Sequence, residues 1–208
     1  MPYPTAALVV FAYLLGSVPF GLLVSKLLFH VDIREHGSGN IGATNAYRTL
    51  GPVAGVVVLT ADILKAMIPV FAVRYFLAGT PDAVPLAGVA VGLAAIIGHS
   101  YSIFLRFGGG KGMATAGGLI LALWPLVAPI LVGIWIVVIA VTRYVSVGSI
   151  IVAMLLPVLV YLMYPKAEYI IFALLAGVVI IFRHRSNIAR LLAGQELKFG
   201  TKTEAEEG

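Results

Sequence analysis

Cysteine is absent from the 208 residues, which removes disulfides, thiolate nucleophiles and cysteine-based metal sites together. Charge is scarce as well, 11% of residues against 61% hydrophobic, and the mean hydropathy is +1.04. Water-soluble domains do not show that balance. Paired histidines and clustered carboxylates at ligand spacing are missing too, so neither a metal nor another cofactor is expected. Lys and Arg exceed Asp and Glu, 14 to 9, yet the basic residues lie in short loops between apolar runs and not in one patch. Membrane topology accounts for them and nucleic acid does not. Neither an internal repeat nor a second domain is visible. The chain reads as an all-α integral membrane protein, one polytopic domain over residues 1–194, with a polar tail, 195–208, expected to be largely disordered.

A helix needs roughly 20 apolar residues to cross a bilayer. Residues 5–29, 51–77, 84–98, 145–163 and 168–182 are read as spans. The first has no Lys or Arg ahead of it and no small-residue cleavage site at its end, so it reads as retained and not as a signal peptide. Residues 112–142 as one helix would run about 45 Å against a hydrocarbon core of about 30 Å. Trp124-Pro125 divides them into 112–123 and 126–142, giving about seven transmembrane helices, with short interfacial helices between. With the N-terminus outside and the C-terminus cytoplasmic, Arg34, Arg48, Arg106, Lys111, Arg143, Arg183, Arg185 and Arg190 face the cytoplasm, as the positive-inside rule prefers. Only Arg74 and Lys166 are left near the outer face. Seven spans also put the three polar stretches of the chain on one side.

The first of these, residues 37–50, reads GSGNIGATNAYRTL. Glycines at 37, 39 and 42 can expose backbone amides, and Thr44 or Asn45 can cap a short helix that ends near Gly51-Pro52 with Arg48 one turn in. Ser38, Asn40 and Thr44 can hydrogen-bond phosphate oxygens that Arg48 neutralises. A tight turn with a topogenic arginine fits the same residues. The second, FGGGKGMAT at 107–115, has the ingredients of a phosphate loop but not its spacing, because Leu105 stands where the first glycine belongs and Gly112 where the magnesium-binding hydroxyl belongs. Nucleotide hydrolysis is not expected on that ground. A backbone cradle with Lys111 remains, beside the alternative of a glycine hinge with a snorkelling lysine. The third, RHRSNIARLLAG at 183–194, places Arg183, Asn187 and Arg190 on one helical face and Ile188, Leu191 and Leu192 around the other side, with Gly194 as the stop. It fits an interfacial amphipathic helix, and a lipid anchor has no need of His184 or Asn187. Inside the second span, Asp62 and Lys65 stand three apart, where charge is expensive; a structural pair is favoured over a place in the site. His99 fits either a structural or a site role.

Taken in order, GSGNIGATNAYR, GHSYSIFLRFGGGKGMAT and HRSNIARLLAGQE resemble the bacterial PlsY family, acyl-phosphate-dependent glycerol-3-phosphate acyltransferases, and the likeness covers nearly the whole chain. The resemblance implies transfer of a fatty acyl group from acyl phosphate to position 1 of glycerol 3-phosphate, giving lysophosphatidate and inorganic phosphate. It implies a bacterial inner-membrane protein with its site facing the cytoplasm and membrane lipid around it. By motif match it implies Ser38, Arg48, Lys111, His184 and Asn187 as catalytic. It further implies Gly39, Asn40, Thr44, Asn45, His99, Gly109, Gly110, Arg185 and Arg190 as substrate-binding, and Glu196 as a structural residue near the site. Amides of the glycine loops would stabilise the oxyanion, and His184, His99 or a substrate phosphate would take the hydroxyl proton.

Two other readings fit the same residues less well. An acyl-CoA enzyme is expected to carry a His-x4-Asp motif, and the nearest approach, HVDIRE at 30–35, ends in glutamate. An anion or lipid transporter would place broken helices near the midplane, often in repeated halves; here the polar groups gather at one face.

Overall fold

The computed structural model describes residues 3–201 and, within them, is helical with no strand. Ten α-helices follow one another: α1 Tyr3–Ser17, α2 Phe20–Phe29, α3 Ala43–Leu50, α4 Pro52–Phe76, α5 Val84–Ser100, α6 Met113–Leu123, α7 Val127–Thr142, α8 Val145–Met163, α9 Ala167–Arg183 and α10 Arg185–Leu192. Single 3-10 turns lie at Ile33–Glu35, Pro81–Ala83 and Ile103–Leu105.

Among the described residues α4, α8 and the stretch Val84–Leu105 are long and apolar enough to cross a bilayer, and two bent pairs raise the number to five. One bend is the expected start of α10, 53° from α9. The other corrects the reading of 5–29 as one helix: α1 and α2 meet at 40°, because Pro19 has no N–H to continue the ladder. The carbonyls released there are taken by side chains from elsewhere, Ser17 O by the Ser102 hydroxyl and Val18 O by Lys65 Nζ. The break expected at Trp124-Pro125 is present, leaving α6 and α7 as shorter apolar helices.

Small residues bring these helices together, as they do in lipid, where apolar surface alone gives no preference for protein. A Cβ on Gly16 would overlap the backbone of Ala95, and one on Gly98 the backbone of Tyr13, so α1 and α5 touch main chain to main chain. Gly118 of α6 sits equally close to Ile63 of α4. The interior is filled by side chains such as Trp124, which packs edge-on against Tyr169. Leu27, Tyr75 and Val141 stand well exposed on the outside, an apolar surface suited to acyl chains.

Candidate functional site

The α3 helix lies next to α4 at the end where α5, α6 and α10 also have their polar termini. Gly39, with φ +67, sits in the turn that brings residue 38 back over α3. Asn45 does not cap α3, and neither does Thr44; the N-cap is Gly42, which has no side chain to offer. Asn45 instead staples the loop from inside the helix. Its Oδ1 accepts from Ser38 N at 2.9 Å, and its Nδ2 donates to the carbonyls of Ile33 and His36.

That arrangement engages several of the amides expected to be exposed. The N–H groups of Ser38 and Gly42 donate to Asn45 and Asn40 side chains, and that of Gly39 to His36 O. In the second loop Gly108 N donates to Leu105 O and Gly110 N to His99 O. The glycines there have a packing role: a Cβ on Gly109 would overlap the His99 carbonyl, and one on Gly110 the His99 ring. Arg183 closes the turn from the other side, donating to Gly109 O at 2.7 Å and Gly110 O at 3.0 Å while lying over the Tyr101 ring. Arg183 stood on the polar face of the third stretch without being assigned to the site. The carbonyl groups it binds could not be read from spacing.

What opens between these elements is a cavity of about 460 Å³ with two kinds of wall. Its polar part carries Ser38, Asn40, Thr44, Asn45, Arg48, His99, Lys111, His184, Asn187 and Glu196. Its apolar part runs between α4, α6, α7 and α8, past Leu59, Ile120, Leu131, Trp135 and Leu156. Along α8 the lining extends from Ser146 to Leu156, a rise of about 15 Å, which is half the hydrocarbon thickness of a bilayer. Tyr47, Phe199, Ser146 and Ser149 also line it, none of them anticipated. The two serines, set three apart at the start of an otherwise apolar helix, were the available signal.

Five expected residues are not in the lining. Arg185 is exposed and lies over the Phe182 ring, 4.7 Å from its centroid. Arg190 is occupied by Glu196, Nε to Oε2 at 2.8 Å. Gly39, Gly109 and Gly110 shape the loops without facing the cavity.

Residues 195–201 run back over the site. Glu196 accepts from Asn187 Nδ2 at 2.6 Å, and burial, which pushes its carboxyl pKa up, is outweighed by the donors Asn187 and Arg190, leaving it below the usual range. Arg48 donates through Nη2 to Leu197 O at 2.9 Å, and Phe199 stacks on Tyr47. The remainder of the expected tail, 202–208, lies outside the described residues.

Electrostatically the polar wall favours anions. Among the described residues neither Arg48 nor Lys111 takes part in an ion pair, whereas both carboxylates of the cavity do, Glu196 with Arg190 and Asp62 with Lys65 at 2.8 Å. Burial lowers the Lys111 pKa to about 8; Glu196 opposes the shift, and Arg190, Arg48 and Arg183 reinforce it. Apart from the ion-paired Asp62 Oδ1, three buried atoms of the lining lack a protein partner: the donor Arg48 Nε, the acceptor Asn187 Oδ1 and the Ser146 hydroxyl. His184 places Nδ1 2.8 Å from Ile180 O, and since a carbonyl only accepts, that nitrogen carries the proton. In the neutral ring Nε2 is then the bare nitrogen. Among the described residues no group of three His, Asp or Glu side chains stands together as a metal site would require.

Residues 6–194 match the family model described as glycerol-3-phosphate acyltransferase. The chain is 45% identical to a glycerol-3-phosphate acyltransferase of Rippkaea orientalis over 94% of its own length and 93% of that protein's. It is 46% identical to one of Trichlorobacter lovleyi, over 90% and 94% respectively. Its fold resembles the crystal structure of PlsY, an integral membrane glycerol 3-phosphate acyltransferase, in the glycerol 3-phosphate form. That match has a TM-score of 0.87 and 41% identity over 95% of this chain and 96% of the other. A lysophosphatidic acid form of PlsY matches with a TM-score of 0.85.

Proposed function

The chain belongs to the PlsY family of glycerol-3-phosphate acyltransferases, and from that premise we propose that it draws its fatty acyl group from acyl phosphate, at the cytoplasmic face of the bacterial inner membrane. It is a multi-pass membrane acyltransferase acting on glycerol 3-phosphate, and the transporter alternative falls away with that assignment. One observation carries the reading of its site: a single cavity joins an anion-favouring polar wall to an apolar trench about half a bilayer deep.

In this reading the trench takes the acyl chain of the donor, with its acyl phosphate head among Arg48, Lys111 and Ser38. Each substrate phosphate carries about −1.5 to −2 charge, by analogy with phosphorylated side chains, so the two unpaired cations are needed here more than elsewhere in the chain. Arg48 Nε donates to a phosphate oxygen, while Asn187 Oδ1 accepts from a hydroxyl of glycerol 3-phosphate. The 1-hydroxyl attacks the acyl carbon, His184 Nε2 accepts its proton, and the carbon–oxygen bond to phosphate breaks to release inorganic phosphate. The mixed anhydride has a good leaving group, so no covalent enzyme intermediate is required. The amides of Ser38, Gly39, Gly42, Gly108 and Gly110 are engaged internally, so stabilisation of the developing oxyanion falls to Lys111 and to other amides of the second glycine loop.

The test is direct. Purified protein in lipid is supplied with glycerol 3-phosphate and either acyl phosphate or acyl-CoA, and lysophosphatidate is followed by mass spectrometry. Product from acyl phosphate alone, reduced roughly 10²–10³-fold in Arg48→Ala, is the expected result. Product from acyl-CoA alone would overturn the donor, and near-normal turnover in the variant would remove Arg48 from the site.

A further inference from the structure

At the inner edge of the cavity, with Asp62 and His99 in its lining and Lys65 behind them, lies a group of three ionisable side chains that the reaction described above does not use. Asp62 and Lys65 are each 2% exposed on α4, and their ion pair at 2.8 Å explains how two charges persist in a membrane helix. It does not explain a third partner. Lys65 Nζ lies 2.9 Å from His99 Nδ1 on α5, and 3.0 Å from the Val18 carbonyl at the α1–α2 break. An ammonium has three N–H donors and no acceptor, and here three partners surround it: Asp62, Val18 O and His99. Asp62 Oδ1 itself is 3.6 Å from His99 Nδ1, beyond hydrogen-bond reach, so the ammonium stands as the intermediary.

The geometry dictates the state of the ring. With Lys65 donating, Nδ1 of His99 is an acceptor and the ring proton sits on Nε2. Nε2 is the atom that a Cβ on Gly110 would overlap, so the glycine turn is folded flush against it. The backbone of the same histidine receives Gly110 N–H at 3.1 Å. Ring and carbonyl of His99 together form the surface against which residues 109 and 110 are laid, and the next residue is Lys111. His99 held in this tautomer cannot serve as the base, which separates its role from that of His184.

We propose that Asp62 and Lys65 are positioning residues for acyl transfer, holding the His99 ring in one tautomer and orientation so that the turn against it delivers Lys111 to the phosphate; this rests on Lys111 being a phosphate-binding cation. The cluster thereby couples the bend between α1 and α2, through Lys65, to the loop at the mouth of the cavity.

The double variant Asp62→Asn/Lys65→Met removes both charges and leaves neither unpaired, so it is the informative one. Full-length protein in lipid nanodiscs is compared with wild type by thermal unfolding, by nitrogen-15 NMR of labelled histidines and by steady-state kinetics, with Lys111→Ala alongside. Wild type is expected to show one histidine with bare Nδ1 and protonated Nε2, absent in His99→Gln. In the double variant that signature is lost, folding is retained, and KM for glycerol 3-phosphate or acyl phosphate rises roughly tenfold to a hundredfold, with kcat changed less. Wild-type kinetics in a folded double variant, beside a defect in Lys111→Ala, would sink the proposal alone. Normal KM in Lys111→Ala would sink the reading of Lys111 and the proposal with it. Should the double variant not fold, the wild-type spectrum decides: a His99 ring protonated at Nδ1 overturns the arrangement, and one bare at Nδ1 supports it.

Discussion

Lys111 is held in a corner that works against its own charge, and a consequence for pH follows. Its folded pKa of about 8 lies below the ordinary 10.5, so between those values the folded protein binds fewer protons than the unfolded chain. Stability therefore rises with pH across that window, as the unfavourable burial of the ammonium is relieved. Substrate affinity runs the other way, since a phosphate needs the ammonium. Accordingly kcat/KM is expected to fall above about pH 8, while kcat at saturation holds to higher pH because bound phosphate keeps the proton on. Paired pH profiles check this, and a flat kcat/KM to pH 10 would remove Lys111 from phosphate binding. Gly110→Ala is expected to raise KM for both substrates by at least about tenfold, or about 1.4 kcal/mol, because its Cβ overlaps the His99 ring; unchanged KM would show that the turn can shift without loss. At this scale the sequence was informative where chemistry is local. Two charges inside an apolar span announce a pair, but their third partner is 34 positions from Lys65 and depends on how α4 meets α5. Asn45 was read as a cap from its place near a helix start, and its three bonds to residues 33–38 outcompete that role.

Among the elements, helix contacts made through glycine are the least forgiving. Gly118→Leu is expected to force α6 off α4, where the added side chain meets the Ile63 carbonyl, at about 1–3 kcal/mol in stability. Gly133→Leu on α7, with nothing within 4 Å of a Cβ, is the control that should be tolerated. Thermal unfolding in one detergent compares them, and equal midpoints would argue against the close α4–α6 approach. Helix boundaries were legible wherever apolar runs were interrupted by polar residues or by Trp124-Pro125. The bend at Pro19 was not, because one proline in so long an apolar run leaves its mean hydropathy at the level of a span. The course of residues 195–201 was not legible either: their composition gives no sign that a carbonyl there answers Arg48.

The whole molecule has two unlike ends. Arg48, Lys111, Arg183 and Arg190 gather at the end that carries the cavity's polar wall, whereas Arg74 binds Ala122 O and Lys166 lies over the Tyr169 ring at the other. The positive-inside rule then predicts which end faces the cytoplasm. The cysteine-free sequence makes the check clean. Lys166→Cys should react with an impermeant maleimide in intact cells, and Lys198→Cys only after permeabilisation; the reverse pattern would invert the topology. The site also joins distant parts of the chain, since Arg48 is held by a carbonyl 149 positions later. The ribosome must therefore deliver every membrane helix before the pocket can be closed by residues 196–199, and a partly translated chain, however well inserted, has no finished site with which to consume acyl donor.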